Sequence, residues 1–156
     1  MRGGPGMLRS VDRRAVLRGG GGLVVLAMVS PAAASPPDDV AAAIRDLVGD
    51  AVLHDGCIRL QVPATAENGA VVPVTVAVES PMTADAYVRA IHIVATGNPT
   101  PGVASYRFTP ASGRAEVSAR MRLAQKQTVI VLAELSDGTV RRATAEISVS
   151  VGGCLT

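Results

Sequence analysis

The 156-residue chain has no tryptophan, one phenylalanine and two tyrosines. With aromatics at 2 %, a core has to be assembled from Val, Ile, Leu and Ala, which suit a pleated sheet surface better than a large helical bundle. Histidine occurs only at His54 and His92, in separate segments without ligand-spaced neighbours, so no metal site is assigned. There is no glycine-rich phosphate loop, no strand-flanked G-x-S-x-G and no telling pair of carboxylates, so no catalytic residue is assigned either. Cysteine occurs twice, at Cys57 and Cys154, and not as C-x-x-C.

Positive charge is scarcer than the formal total of +2 suggests, because Arg2, Arg9, Arg13, Arg14 and Arg18 lie near the N-terminus. From Ser35 onward ten basic residues face twelve acidic ones, a net charge of −2. That balance, with almost no aromatics, offers no footprint for nucleic acid.

Residues 1–34 read as an export signal. Arg13-Arg14 sits in the n-region, a glycine-rich apolar stretch runs from Gly19 to Val29, and Ala32-Ala33-Ala34 supplies a small-residue cleavage site before Ser35. The apolar stretch falls short of the roughly 20 residues a membrane span needs. Paired arginines before a moderately apolar segment point to the twin-arginine route, and an ordinary secretory signal is the alternative. Either way the mature protein is expected in the periplasm, without a membrane anchor, where thiols can be oxidised.

The remainder, 35–151, is expected to form one all-β domain, an immunoglobulin-like sandwich of about seven strands with a short N-terminal helix. Pro36-Pro37-Asp38 starts the helix, Val40, Ala43, Ile44 and Leu47 give it an apolar stripe, and Gly49 ends it. Its expected role is a lid on the sandwich edge. After Gly56 the period becomes twofold: Ile58–Val62, Val72–Val78 after an Asn68-Gly69 turn, Ala115–Leu123, and Ala143–Val151 each alternate apolar with polar. Val88–Ala95 and Thr128–Leu135 are apolar on both faces and need a second cover besides the core. Ser136-Asp137-Gly138-Thr139 marks a hairpin turn.

Cys154 stands out by position. It follows Gly152-Gly153 after the last strand, and glycines impose little conformational preference. Three extended residues, 152–154, reach about 10 Å. A free thiol has a pKa of about 8.5, so a few per cent is nucleophilic thiolate near neutrality. An exposed, tethered thiol in an oxidising compartment is a liability unless it is used. Cys57, at the opening of the first of these strands, reads equally as a small semi-buried residue or a surface thiol.

Several stretches resemble the SoxY family of sulfur-oxidation carriers: Glu67–Val76, Ser80–Thr83, Phe108–Val117, Arg120–Ala124, Leu135–Thr139 and the terminal Val151-Gly152-Gly153-Cys154. The similarity runs from about Val40 to Cys154. It implies an immunoglobulin-like sandwich that pairs with a SoxZ-like protein. It also implies that thiosulfate-derived sulfur is attached covalently at Cys154, with Gly152 and Gly153 as the swinging arm in 152–156. SoxAX-, SoxB- and SoxCD-like enzymes would act on that cargo, and the cofactors would be theirs, with none on this chain. The resemblance departs at the tip, where Leu155-Thr156 replaces the family's two further glycines.

Two alternatives stay open on the sequence. One is a sandwich that only binds partners, having lost its cargo. The other is a thiol–disulfide protein that pairs Cys57 with Cys154.

Overall fold

A computed structural model describes residues 37–153. Residues 1–36, which include the expected export signal, and Cys154–Thr156 lie outside the described residues.

The helix α1 spans Pro37–Val48, with Pro37 in its first turn and Asp38 and Asp39 near the positive end of its dipole. Gly49 (φ 66°) ends it, and its N–H still donates to the Arg45 carbonyl at 2.8 Å. Nine strands follow among the described residues: β1 Leu53–Asp55, β2 Ile58–Gln61, β3 Thr65–Asn68, β4 Val72–Val78, β5 Val88–Ala95, β6 Gly102–Arg107, β7 Ala115–Met121, β8 Gln127–Leu135 and β9 Val140–Val151.

They form two layers. One sheet runs β1-β9-β8-β5-β6, with β3 also on β9; the other runs β2-β4-β7. The facing sides bury Val72, Val74 and Val76 of β4 against Ile91 and Ile93 of β5, Val129 and Val131 of β8, and Ile147 of β9. The core is aliphatic; Tyr87, Tyr106 and Phe108 only flank it. The expected sandwich is present, with more strands than the seven anticipated.

The extra strands are short. β1 and β3 both pair parallel with β9, β1 alongside Val140–Arg142 and β3 alongside Ser148–Val151. Asp55 makes a two-pronged ion pair with Arg142, at 2.9 and 3.2 Å, across the β1–β9 junction. The hydrogen bonds and charge of Arg142 hold the Asp55 carboxyl below its ordinary range.

Strand β5 is buried on both sides, and the outer side of β8 is half-buried around a buried Leu132. Ala90, His92 and Val94 of β5 and Leu132 of β8 face away from the core yet are at most 5 % exposed. His92 bonds Ser105 Oγ on β6 and Glu134 Oε1 on β8, each at 2.7 Å, so it is a satisfied polar bridge across three strands. The helix differs from its expected place at an edge. It packs against β5, whose in-plane neighbours are β8 and β6 and whose inner side faces the other sheet. That leaves it the outer face, where the apolar stripe of Val40, Ala43, Ile44 and Leu47 is half-buried. The helix therefore supplies part of the second cover that these strands need. No described helix is long and apolar enough to cross a membrane.

Candidate functional site

Where β9 ends, three backbone segments close on one another. The parallel β3–β9 register sets Asn68 beside Val151, which brings Gly69 against the chain leaving the sandwich. The Gly69 N–H donates to the Val151 carbonyl at 2.7 Å, and the Leu123 N–H donates to the Gly69 carbonyl at 2.8 Å. The Gly153 N–H then donates to the Leu123 carbonyl at 2.9 Å, so three bonds link three segments in a ring. Leu123 is fully buried and fastens this clasp to the core.

Only glycines fit at these contacts. A Cβ at Gly69 would lie 2.2 Å from the Leu123 carbonyl oxygen and 2.7 Å from the Gly153 nitrogen. At Gly152 it would meet the Ala124 carbonyl oxygen at 2.2 Å, and at Gly153 the Gly69 oxygen at 2.7 Å. None of the three has a positive φ, so close approach is what requires glycine here.

The arm glycines therefore have a different physical basis from the one their sequence suggests. Gly152 and Gly153 are expected to form a mobile stem, but both are packed against backbone and Gly153 is buried. While the clasp is closed Gly153 is held, and the tether to Cys154 shortens from a reach of about 10 Å to a single residue step of about 3.8 Å. A full swing requires the Gly153–Leu123 hydrogen bond to open.

A buried polar brace holds the partner segment in place. Asn98 and Gln127 are 4 % and 6 % exposed. The Asn98 Nδ2 donates to the Arg122 carbonyl at 2.9 Å, and its Oδ1 accepts from the Ala124 N–H at 3.0 Å and from the Gln127 Nε2 at 2.9 Å. The Gln127 Oε1 accepts from the Gly97 N–H at 2.7 Å. In the sequence, Asn98 in Asn98-Pro99-Thr100-Pro101-Gly102 signals only a turn, and Gly69 only a turn glycine. Nothing local links either to the C-terminus, because the partners in the brace and the clasp lie 24 or more residues away in the chain.

Cys57 lies far from the clasp. It has a φ of 62°, after Gly56 at 105°, and is a free, exposed thiol. Its carbonyl accepts from the Glu79 N–H at 3.0 Å, at the Val78 end of β4. The clasp sits at the Val72 end, where Val72 pairs with Met121. Six strand steps of roughly 3.4 Å separate the two ends, about 20 Å. A disulfide needs Cα atoms about 4.4–6.8 Å apart, and Cys154 is one step beyond Gly153. Cys57 and Cys154 of one chain therefore cannot pair while the clasp is closed. Cys57 is expected to react with a maleimide in the folded protein without prior reduction, scored by intact mass in Cys154→Ser; protection until denaturant is added would contradict its exposure.

His54 and His92 do not meet, and the described residues contain no group of three or more His, Cys, Asp or Glu side chains able to hold a metal.

Comparison with known proteins places these features in a family. Residues 44–154 match the family model described as sulfur oxidation protein SoxY. The solved structure of the sulfur carrier protein SoxY from Chlorobium limicola f thiosulfatophilum is 32 % identical, with a TM-score of 0.63, over 74 % of this chain and all of that one. A superoxide reductase (neelaredoxin) from Ignicoccus hospitalis superposes with a TM-score of 0.53 at 18 % identity, over 60 % of this chain and 80 % of its own, a likeness of fold alone. No curated protein sequence matches.

Proposed function

This chain belongs to the SoxY family of sulfur-oxidation proteins, and we propose that it is a periplasmic carrier that holds thiosulfate-derived sulfur covalently on Cys154. It is the cargo-bearing scaffold of a multienzyme cycle and not itself a catalyst. The observation that carries this proposal is the clasp. It roots the chain one residue before Cys154, so the thiol is presented from a fixed point at the end of the sandwich. The family match runs through the same residue.

Attachment is a two-electron oxidation. Cysteine thiol and thiosulfate give Cys–S–S–SO₃⁻, one proton and two electrons, which a SoxAX-like partner would take up one at a time through haem. SoxB- and SoxCD-like enzymes then process the anionic adduct. The exposed apolar side chains Val71 and Val151 flank the clasp, at 55 % and 64 % exposure, and offer a docking edge to enzymes that take in the thiol. A SoxZ-like protein completes a heterodimer. The twin arginines at Arg13-Arg14 direct export, which delivers the chain to the compartment where this chemistry runs.

The separation of about 20 Å between the clasp and Cys57 weighs against an intramolecular thiol–disulfide role. The carrier role is tested by intact mass of protein purified from a sulfur-oxidising host grown on thiosulfate. The mature chain is expected to carry sulfur adducts that disappear on reduction. A single unmodified mass under those conditions, with the thiol free, would leave the partner-binding sandwich as the better description.

A further inference from the structure

Beside the clasp lies a cleft of about 440 Å³ between the 98–103 turn and the end of β7. Asn98, Thr100, Val103, Arg120, Met121 and Arg122 are among its lining, and no carboxylate is among the described residues that line it. Arg120 and Arg122 alternate with the buried Met121, which turns both guanidinium groups to the solvent side of β7. Asn98 fixes this wall by donating to the Arg122 carbonyl.

The cleft and the carrier arm share one stretch of backbone. Arg122 precedes Leu123, whose carbonyl holds the Gly153 N–H, and Cys154 follows Gly153. Cys154 is therefore bonded to a residue whose amide is held one residue from Arg122.

We propose that this cleft is a resting site for the anionic head of the Cys154 adduct, with Arg120 and Arg122 binding the sulfonate oxygens. The proposal rests on the carrier function and adds to it a place on this chain where the cargo waits between partners. Guanidinium forks match oxyanions in shape and charge. Exposed arginines bind such an anion weakly in free solution, but a short tether supplies an effective concentration in the millimolar range. Seated there, the head group is held against the carrier until a partner enzyme draws the arm away.

Chemical loading tests this without the pathway. In a Cys57→Ser background, the Cys154 thiolate attacks an inner sulfur of tetrathionate, forming Cys–S–S–SO₃⁻ and releasing thiosulfate. Methyl methanethiosulfonate gives a neutral S-methyl disulfide at the same atom, with methanesulfinate leaving. The ¹⁵N-arginine Nε–Hε resonances of Arg120 and Arg122, assigned with Arg120→Gln and Arg122→Gln, are expected to shift on tetrathionate loading but not on S-methylation. The shifts should shrink at 1 M salt, where the screening length falls to about 3 Å. No shift on anionic loading, or equal shifts with the neutral adduct, would overturn the resting site while leaving the carrier role intact. If intact mass shows that tetrathionate does not modify Cys154 at all, the thiol is inaccessible and the carrier role falls, taking the resting site with it.

Discussion

Gly69→Ala is expected to destabilise the domain by about 3 kcal/mol, at the upper end of overpacking costs, and to lower Tm by about 10 °C. The added methyl carbon would sit 2.2 Å from the Leu123 carbonyl oxygen and 2.9 Å from Val149 Cγ1. The oxygen belongs to backbone that the Asn98 brace holds, so it cannot rotate aside as a side-chain end could. Relief requires the clasp to open, which breaks bonds worth about 1 kcal/mol each and releases the C-terminal arm. Gly102→Ala is the control. Gly102 has an ordinary φ and nothing within 4 Å of its added Cβ, so its change should stay within about 0.5 kcal/mol. Thermal melts give the stability difference, and hydrogen exchange at the Gly153 amide reports the clasp itself. Wild-type protection of that amide in Gly69→Ala would show that the ring of hydrogen bonds is not what holds the arm. One practical consequence follows for the arm glycines. Substituting Gly152 or Gly153 changes packing as well as flexibility, since each meets backbone below 3 Å. A loss of transfer in such variants is not by itself evidence for a flexible hinge.

Cys154→Ser is expected to abolish cargo altogether, from a mature chain bearing reducible adducts to one bearing none. The replacement preserves the shape of the tip, and a hydroxyl cannot form the sulfur–sulfur bond that holds the load. Cys57→Ser should keep the full set of adducts, because Cys57 stands about 20 Å from the clasp and cannot act in place of Cys154 or resolve its adduct within one chain. Intact mass before and after reduction, on both variants purified from the same host, decides the matter. Reducible adducts that survive in Cys154→Ser would place the cargo elsewhere. Their loss in Cys57→Ser would mean that the two thiols act together, within one chain after the clasp opens or between two chains.

The amino-acid sequence was sufficient for the β architecture, because alternation along Val72–Val78 and Ala143–Val151 can be satisfied only by a sheet with one buried face. It was sufficient for α1 too, whose stripe, opening Pro37 and closing Gly49 are all local signals. Family membership was legible because Glu67–Val76, Arg120–Ala124 and Val151–Cys154 are contiguous motifs.

Tertiary structure decided what sequence spacing cannot carry. Parallel pairing of the three- and four-residue strands β1 and β3 with β9 is non-local, and so short a run has no readable period. The placement of α1 on β5 depended on which apolar face was left uncovered. Above all, Gly69, Gly152 and Gly153 look alike in sequence as flexible residues, and only the meeting of segments 69, 123 and 151–153 shows them as points of close backbone contact. A missing side chain permits freedom and permits contact equally. Which of the two it provides depends on whether another segment arrives, and that is set by the fold.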